Sequence, residues 1–204
     1  LAAGAPLAAI VQANALLEED IDEPRLKQLT QLVRQNAQRL ENIVDEVLDI
    51  SRARRGRDAE GSAVVALHPA LERICLDWTL QHHAHALLEL ALADTPLEVP
   101  FDAEHLRRVL VNLLDNARRY ASGRPGAILV STRRLRQGQV VMGVWSDGPP
   151  MEQSVERHLF EPFFSSESRS TGLGLYLCRE LCEGHGATIG FERVRRPGDS
   201  SAQA

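Results

Sequence analysis

Three cysteines, Cys75, Cys178 and Cys182, are all that the 204-residue chain carries. So few thiols exclude a disulfide framework and point to a reducing compartment. Cys178 and Cys182 stand four apart on a predicted helix, but a zinc site needs two more ligands close by, so buried thiols are expected. Basic excess is missing too: 23 Lys and Arg against 28 Asp and Glu leave a formal net charge of −5. That balance argues against general nucleic-acid binding, which needs a basic face to displace counterions. No apolar run approaches the ~20 residues of a membrane span, and no signal peptide is visible. The expectation is a cytoplasmic chain with no membrane span of its own. What the chain has is a core-forming share of apolar residues, 44% of the total, enough for one ordinary domain or two small ones.

The first third reads as helix. From Pro6 to Glu19, Leu7, Ile10, Val11 and Leu17 recur at helical spacing. The acidic turn "EDIDEP" places Pro24 where a new helix can start. A second predicted helix, roughly Pro24 to Arg55, carries an apolar stripe that includes Leu26, Leu29, Val33, Leu40, Ile43 and Val47. Two such helices make an antiparallel hairpin. Alone the hairpin leaves its stripe wet; a second copy buries it as a four-helix bundle, so a homodimer is expected. "RARRGRDAEGS" (52–62) has no apolar period and reads as a linker.

Beyond the linker the pattern is mixed. "AVVAL" and "HALLELAL" are predicted strands around a helix "PALERICLDWTL". Residues 102–121 form a strongly amphipathic predicted helix with Asp102 as N-cap. "AILVSTRR" and "QVVMGVW" read as a β-hairpin, and "ATIGFERV" as a further strand. The fold class is therefore α+β, with domains expected at 1–56 and 57–204.

Two stretches have the composition for chemistry. Asn112 and Asn116 lie one turn apart at the edge of the apolar arc of helix 102–121, with Arg119 next along the same line. An amide oxygen can ligate Mg²⁺ and a guanidinium can pair with phosphate, but interhelical hydrogen bonds would use the same residues. "STGLGLYLCREL" (170–181) sets Gly172 and Gly174 at a predicted helix start. Glycines there either bare the N–H groups to a phosphate or let the first turn pack tightly. "TGLGL" fits neither the P-loop pattern nor the dinucleotide spacing.

Taken in order, "NLLDNARRYA" (112–121), "SDGPP" (146–150), "FEPFF" (160–164) and "STGLGLYLCREL" (170–181) resemble the N, G1, F and G2 boxes of the sensor histidine kinases. The ATP-binding domain of that family is the Bergerat α/β sandwich. The leading hairpin looks like the family's dimerisation and histidine-phosphotransfer domain, where "PLAAI" (6–10) commonly follows the phosphorylated histidine. The resemblance implies ATP and Mg²⁺ as cofactors, with Asn116 holding the metal and Asn112 assisting. Arg119 would contact phosphate, Tyr120 would pack against the adenine, and Gly148 would let the backbone approach the base. Phe160, Phe163 and Phe164 would anchor the ATP lid, from which Arg169 could reach the γ-phosphate. Gly172 and Gly174 would present helix N–H groups to the phosphates, with Thr171 and Leu173 in the same loop. The phosphoryl group would pass from ATP to a histidine and then to an aspartate of a response regulator. The chain would be cytoplasmic, or the cytoplasmic part of a membrane-anchored sensor.

The family pattern breaks in three places. Counting back from Pro6 puts Leu1 where the acceptor histidine belongs, or else the box is a gap between Ala5 and Pro6. Ser146 stands in place of the adenine-reading Asp and Pro150 in place of the second glycine of that box. Asp147 is adjacent, but a neighbour on a strand end points to the other face. Ser170 replaces the first glycine of the last box. Two functions follow: an ATP-dependent histidine kinase core, or a pseudokinase serving as a dimeric regulatory scaffold. A chaperone or topoisomerase ATPase is disfavoured by the hairpin. Of the seven histidines, none precedes His68. His82, His83 and His85 are expected to begin a strand, and His105 either lines the nucleotide pocket or lies on the helix surface.

Overall fold

The computed structural model describes residues 4–55, 63–164 and 171–197. Leu1, most of the expected linker, Arg169 and Ser170 lie outside the described residues.

Helix α1 (Gly4–Asp20) and helix α2 (Pro24–Arg55) form the expected hairpin. Pro24 opens α2, where its missing N–H would have had no partner within the helix. Between the helices Asn14, 4% exposed, donates its amide N–H to the Thr30 carbonyl at 2.9 Å. The Thr30 hydroxyl donates to the Lys27 carbonyl. Sliding one helix past the other would strand that buried amide, so the pair fixes register. Among the hairpin side chains described, Leu7, Asn14, Thr30 and Ala37 are the buried ones.

Strand β1 (Val64–Ala66) runs into α3 (Leu67–His82). Strand β2 (Leu88–Ala91), strand β3 (Glu98–Pro100) and α4 (Ala103–Tyr120) follow. Then come β4 (Ile128–Arg134), β5 (Val140–Ser146), the short α5 (Gln153–His158) and α6 (Gly174–Gly184). β2 pairs parallel with β4, and β4 antiparallel with β5, in register from Ile128↔Ser146 to Arg134↔Val140. β1 and β3 form a separate antiparallel pair. α3 and α4 pack on the larger sheet, and α6 lies on α4 and also meets α2.

The core is built by α3 (Leu71, Ile74, Trp78), α4 (Leu106, Leu110, Leu114), β4 (Ile128, Val130) and α6 (Leu177, Leu181), all at most 5% exposed. Each fully buried leucine contributes about 1.5–3 kcal/mol relative to exposure. None of the three cysteines is in a disulfide and all three are buried, as expected. Burial pushes the Cys75 thiol up to about 12. Burial, then the Glu183 charge, push Cys182 to about 11.

Asp102 caps α4, its Oδ1 accepting from the N–H groups of Glu104 and His105 at 2.9 Å each. Two expectations are corrected. "ATIGFERV" is not a strand: residues 187–196 form no ladder. Side chains hold this segment instead, with Trp145 donating its indole N–H to the Val194 carbonyl at 3.2 Å and Arg196 lying over the Trp145 ring. His82 and His83 end α3 rather than begin a strand. His83 takes a left-handed φ of 51° that terminates the helix, and His82 sits 3.5 Å from the Asp115 carboxylate. His105, for which two places were open, occupies the first turn of α4, about 10 Å along the helix from Asn112. There its Nδ1 lies 2.9 Å from Nε2 of His185.

Candidate functional site: the ends of α4, β5 and α6

The four segments singled out in the sequence meet through their glycines. A Cβ added to Gly174 would stand 2.7 Å from the Oδ1 of Asn112, so the start of α6 lies directly against the α4 amide. A Cβ on Gly172 would meet backbone atoms of Phe163 and Phe164 at 2.7–2.8 Å, and Gly172 has a φ of +68°. Both sterics and backbone conformation therefore demand glycine there. A Cβ on Gly148 would stand 2.8 Å from the Tyr120 carbonyl, joining the end of β5 to the end of α4. No local pattern in the sequence encodes these three contacts.

Asn112 and Asn116 are both half-buried on α4. Asn112 donates its amide N–H to the Arg108 carbonyl at 2.9 Å, which leaves its oxygen turned toward Gly174. The Asn116 amide makes no hydrogen bond among the described residues. A half-buried amide without a partner is costly unless a ligand completes it. Arg119 and Tyr120 follow at the exposed end of the helix.

Leu173 is the N-cap of α6 and makes no side-chain cap, because leucine has no acceptor. Its own N–H donates to the Thr171 hydroxyl at 3.2 Å. The next N–H groups and the positive end of the helix dipole therefore face the Asn112 side without a side-chain cap. Leu173 itself is 2% exposed and anchors the turn in the core.

Phe164 is half-buried, its ring 5.4 Å from that of His158. Phe163 is 73% exposed with a φ of 62°. A bulky residue in the left-handed region stores strain, and here the close approach of Gly172 accompanies it.

On β5, Val140, Met142 and Val144 pack on the core, so strand alternation puts Ser146 on that same face. Asp147 is committed elsewhere. Its carboxylate accepts from both the N–H and the hydroxyl of Ser122, just past α4. These bonds, the hydroxyl's first, and the Arg124 charge hold the Asp147 carboxyl below its ordinary range. This clamp was not read from the sequence; Ser122, the second residue after α4, is the one local signal for it.

The arrangement gathers a helix N-terminus without a side-chain cap and, among the described residues, an amide without a hydrogen-bond partner, both near the end of β5, features suited to an anion. Comparison with known proteins is consistent with this class. Residues 101–202 match the family profile described as histidine kinase-, DNA gyrase B- and HSP90-like ATPase. Residues 5–56 match the His Kinase A (phospho-acceptor) domain. The sensor protein kinase PilS of Pseudomonas aeruginosa is 34% identical over 198 residues, which are 95% of this chain and 36% of that protein. The sensory histidine kinase/phosphatase NtrB of Salmonella typhimurium is 27% identical over 91% of this chain and 54% of its own length. Among solved structures, full-length ShkA in complex with AMPPNP superimposes with a TM-score of 0.64 at 23% identity, covering 89% of this chain and 39% of that one.

The chain belongs to the two-component sensor histidine kinase family. It spans about a third to a half of the length of these curated relatives.

Proposed function

We propose that residues 57–204 bind Mg·ATP at the meeting of α4, β5 and α6, and that residues 1–56 are the dimerisation and phosphotransfer hairpin of a cytoplasmic histidine kinase core. The contact of Gly174 with Asn112 carries this reading, because it brings the uncapped α6 N-terminus onto the amide line of α4. The donor set fits the ligand. Mg²⁺ prefers oxygen donors shared with phosphates, and Asn116 offers an amide oxygen one turn from Asn112 that has no hydrogen-bond partner among the described residues. When bound, ATP supplies the γ-phosphoryl group. The residues of the chain position and neutralise it: Gly172 and Gly174, packed on Phe163, Phe164 and Asn112, hold the α6 N–H groups where phosphates would meet them, and Arg119 adds a cation. Tyr120, Ser146 and Gly148 face the base, with Phe164 and Thr171 closing the loop around Gly172.

In the kinase reading the phosphoryl group goes to a histidine and on to an aspartate of a response regulator. A second reading, the pseudokinase scaffold, is favoured by one observation: no histidine occurs before His68, whose ring is 3.1 Å from the Thr132 hydroxyl in the α/β domain. Titration calorimetry with Mg·ATP separates the two. Micromolar binding that disappears in Asn116→Ala supports the kinase site. No heat at millimolar nucleotide would overturn it and leave the scaffold.

A further inference from the structure

We infer that the base end of this site accepts adenine and guanine nucleotides with little discrimination and that Ser146 sets this selectivity, an inference that rests on the nucleotide site proposed above and extends it to the base. The proposed site puts the phosphates at the α6 N-terminus, beside Asn112 and Asn116, and the base toward Tyr120 and Gly148 at the C-terminal end of α4. Tyr120 lies one turn beyond Asn116, a rise of about 6 Å, and the Tyr120 carbonyl meets Gly148. The residue that β5 contributes at this end, on the core face, is Ser146.

Purines differ where such a residue would read them. Adenine presents an amino donor at C6 beside an acceptor N1; guanine presents an acceptor O6 beside a donor N1–H. Placed opposite the C6 substituent, a carboxylate, which only accepts, pairs with the adenine amino group and repels guanine O6. A serine hydroxyl rotates to donate or to accept, and satisfies either edge. The neighbouring carboxylates do not substitute for one at position 146. Asp147 accepts from both donors of Ser122. Asp115, beside Asn116 on α4, accepts from the Trp78 indole N–H at 2.8 Å.

The test is calorimetric titration of the full chain with Mg·ATP and Mg·GTP, in the wild type and in Ser146→Asp, Ser146→Ala and Asp147→Asn. The wild type is expected to bind the two within about threefold. Ser146→Asp should raise the preference for ATP by about five- to 150-fold, and Ser146→Ala should weaken both nucleotides alike, by about two- to tenfold. Asp147→Asn should leave the ratio unchanged. A wild type that binds ATP in an Asn116-dependent way but prefers it to GTP by thirtyfold or more overturns the selectivity and leaves the nucleotide site standing. A ratio that moves with Asp147→Asn does the same, by making Asp147 the reader. Failure of both nucleotides to bind the wild type and Ser146→Asp overturns the site and the inference together.

Discussion

In the α/β domain Leu71, Leu110 and Leu114 are wholly buried, whereas in the hairpin Leu16, Leu29 and Leu32 are each more than half exposed. The two regions carry the same residue type on α-helices, so helix propensity does not separate them. The difference is the partner. α4 has a sheet on one side and α6 on another, while α1 packs on α2, and α2 on α1 and one end of the α/β domain through α6. Exposed leucines in such number, along one helical hairpin, are what the proposed dimer would bury against a second helical pair. A domain that closes its own core can hold a site rigidly; a hairpin that does not is suited to an interface.

The sharpest way to test this contrast is to remove the same atoms from both regions. Leu110→Ala in α4 should lower unfolding stability by about 2–5 kcal/mol, because the methyl groups leave a cavity in a closed core. Leu16→Ala in α1 should cost less than about 0.5 kcal/mol in a single copy, where that side chain is 61% exposed. Urea unfolding of both variants measures the difference. Comparable losses at protein concentrations where the chain is monomeric would end the comparison.

Within the α/β domain the site itself is expected to be sensitive at Gly172. Gly172→Ala forces a side chain into the left-handed region and onto the backbone of Phe163 and Phe164, and should cost about 1–3 kcal/mol of stability. Thermal unfolding checks it; a change of a few tenths of a kcal/mol would mean that the turn relaxes freely and that the contact with the FEPFF segment is not fixed.

How much of this was legible in advance differs by region. α4 announced itself through its apolar arc and through Asp102, because both signals are local and the N-cap bonds involve neighbouring residues. The glycines at 172 and 174 were visible as a helix start. What they touch was not, since the contact of Gly174 with Asn112 is made by tertiary packing that leaves no periodicity in either stretch. β3 was missed because three residues ending in Pro100, just after Pro96, offer too short a pattern. "ATIGFERV" misled in the opposite direction. Its alternation suits a strand, but the Arg193 and Arg196 side chains tie the segment to Glu156 and Glu89, and its backbone makes no ladder. The apolar stripe on the hairpin is legible because its spacing is local, and Leu26, Leu29, Val33, Leu40 and Val47 stay exposed in the single chain, as a two-helix hairpin implies.

The interface side of the contrast is tested by charge. Leu29→Glu places a carboxylate on the stripe that a second copy would bury. It should weaken self-association at least roughly tenfold, since a buried charge without a partner is expensive. Sedimentation velocity over a dilution series reads this directly. A wild type that sediments as a single chain at every concentration would leave the exposed leucines unexplained by dimerisation.

The smallest expected effect concerns the far end of α4, where the α/β domain keeps a polar contact inside its frame. His185 stacks on Phe101 at 4.2 Å and lies 2.9 Å from His105. Burial first, then the charge of His105, push its pKa below the ordinary 6.5, and Asp102 pulls the other way. Above that value both folded and unfolded chains hold His185 neutral. As pH falls below it, the unfolded chain takes up a proton that the folded chain resists, so unfolding gains. The contribution of His185 to stability is therefore fully present above pH 6.5 and is lost as pH falls through the depressed folded value. Urea midpoints at pH 7.5 and pH 5.5 should differ in this direction, and His185→Gln should narrow the gap. An unchanged gap in that variant would assign the acid sensitivity to other groups, and would remove the histidine pair as the point where the α4–α6 packing responds to protons.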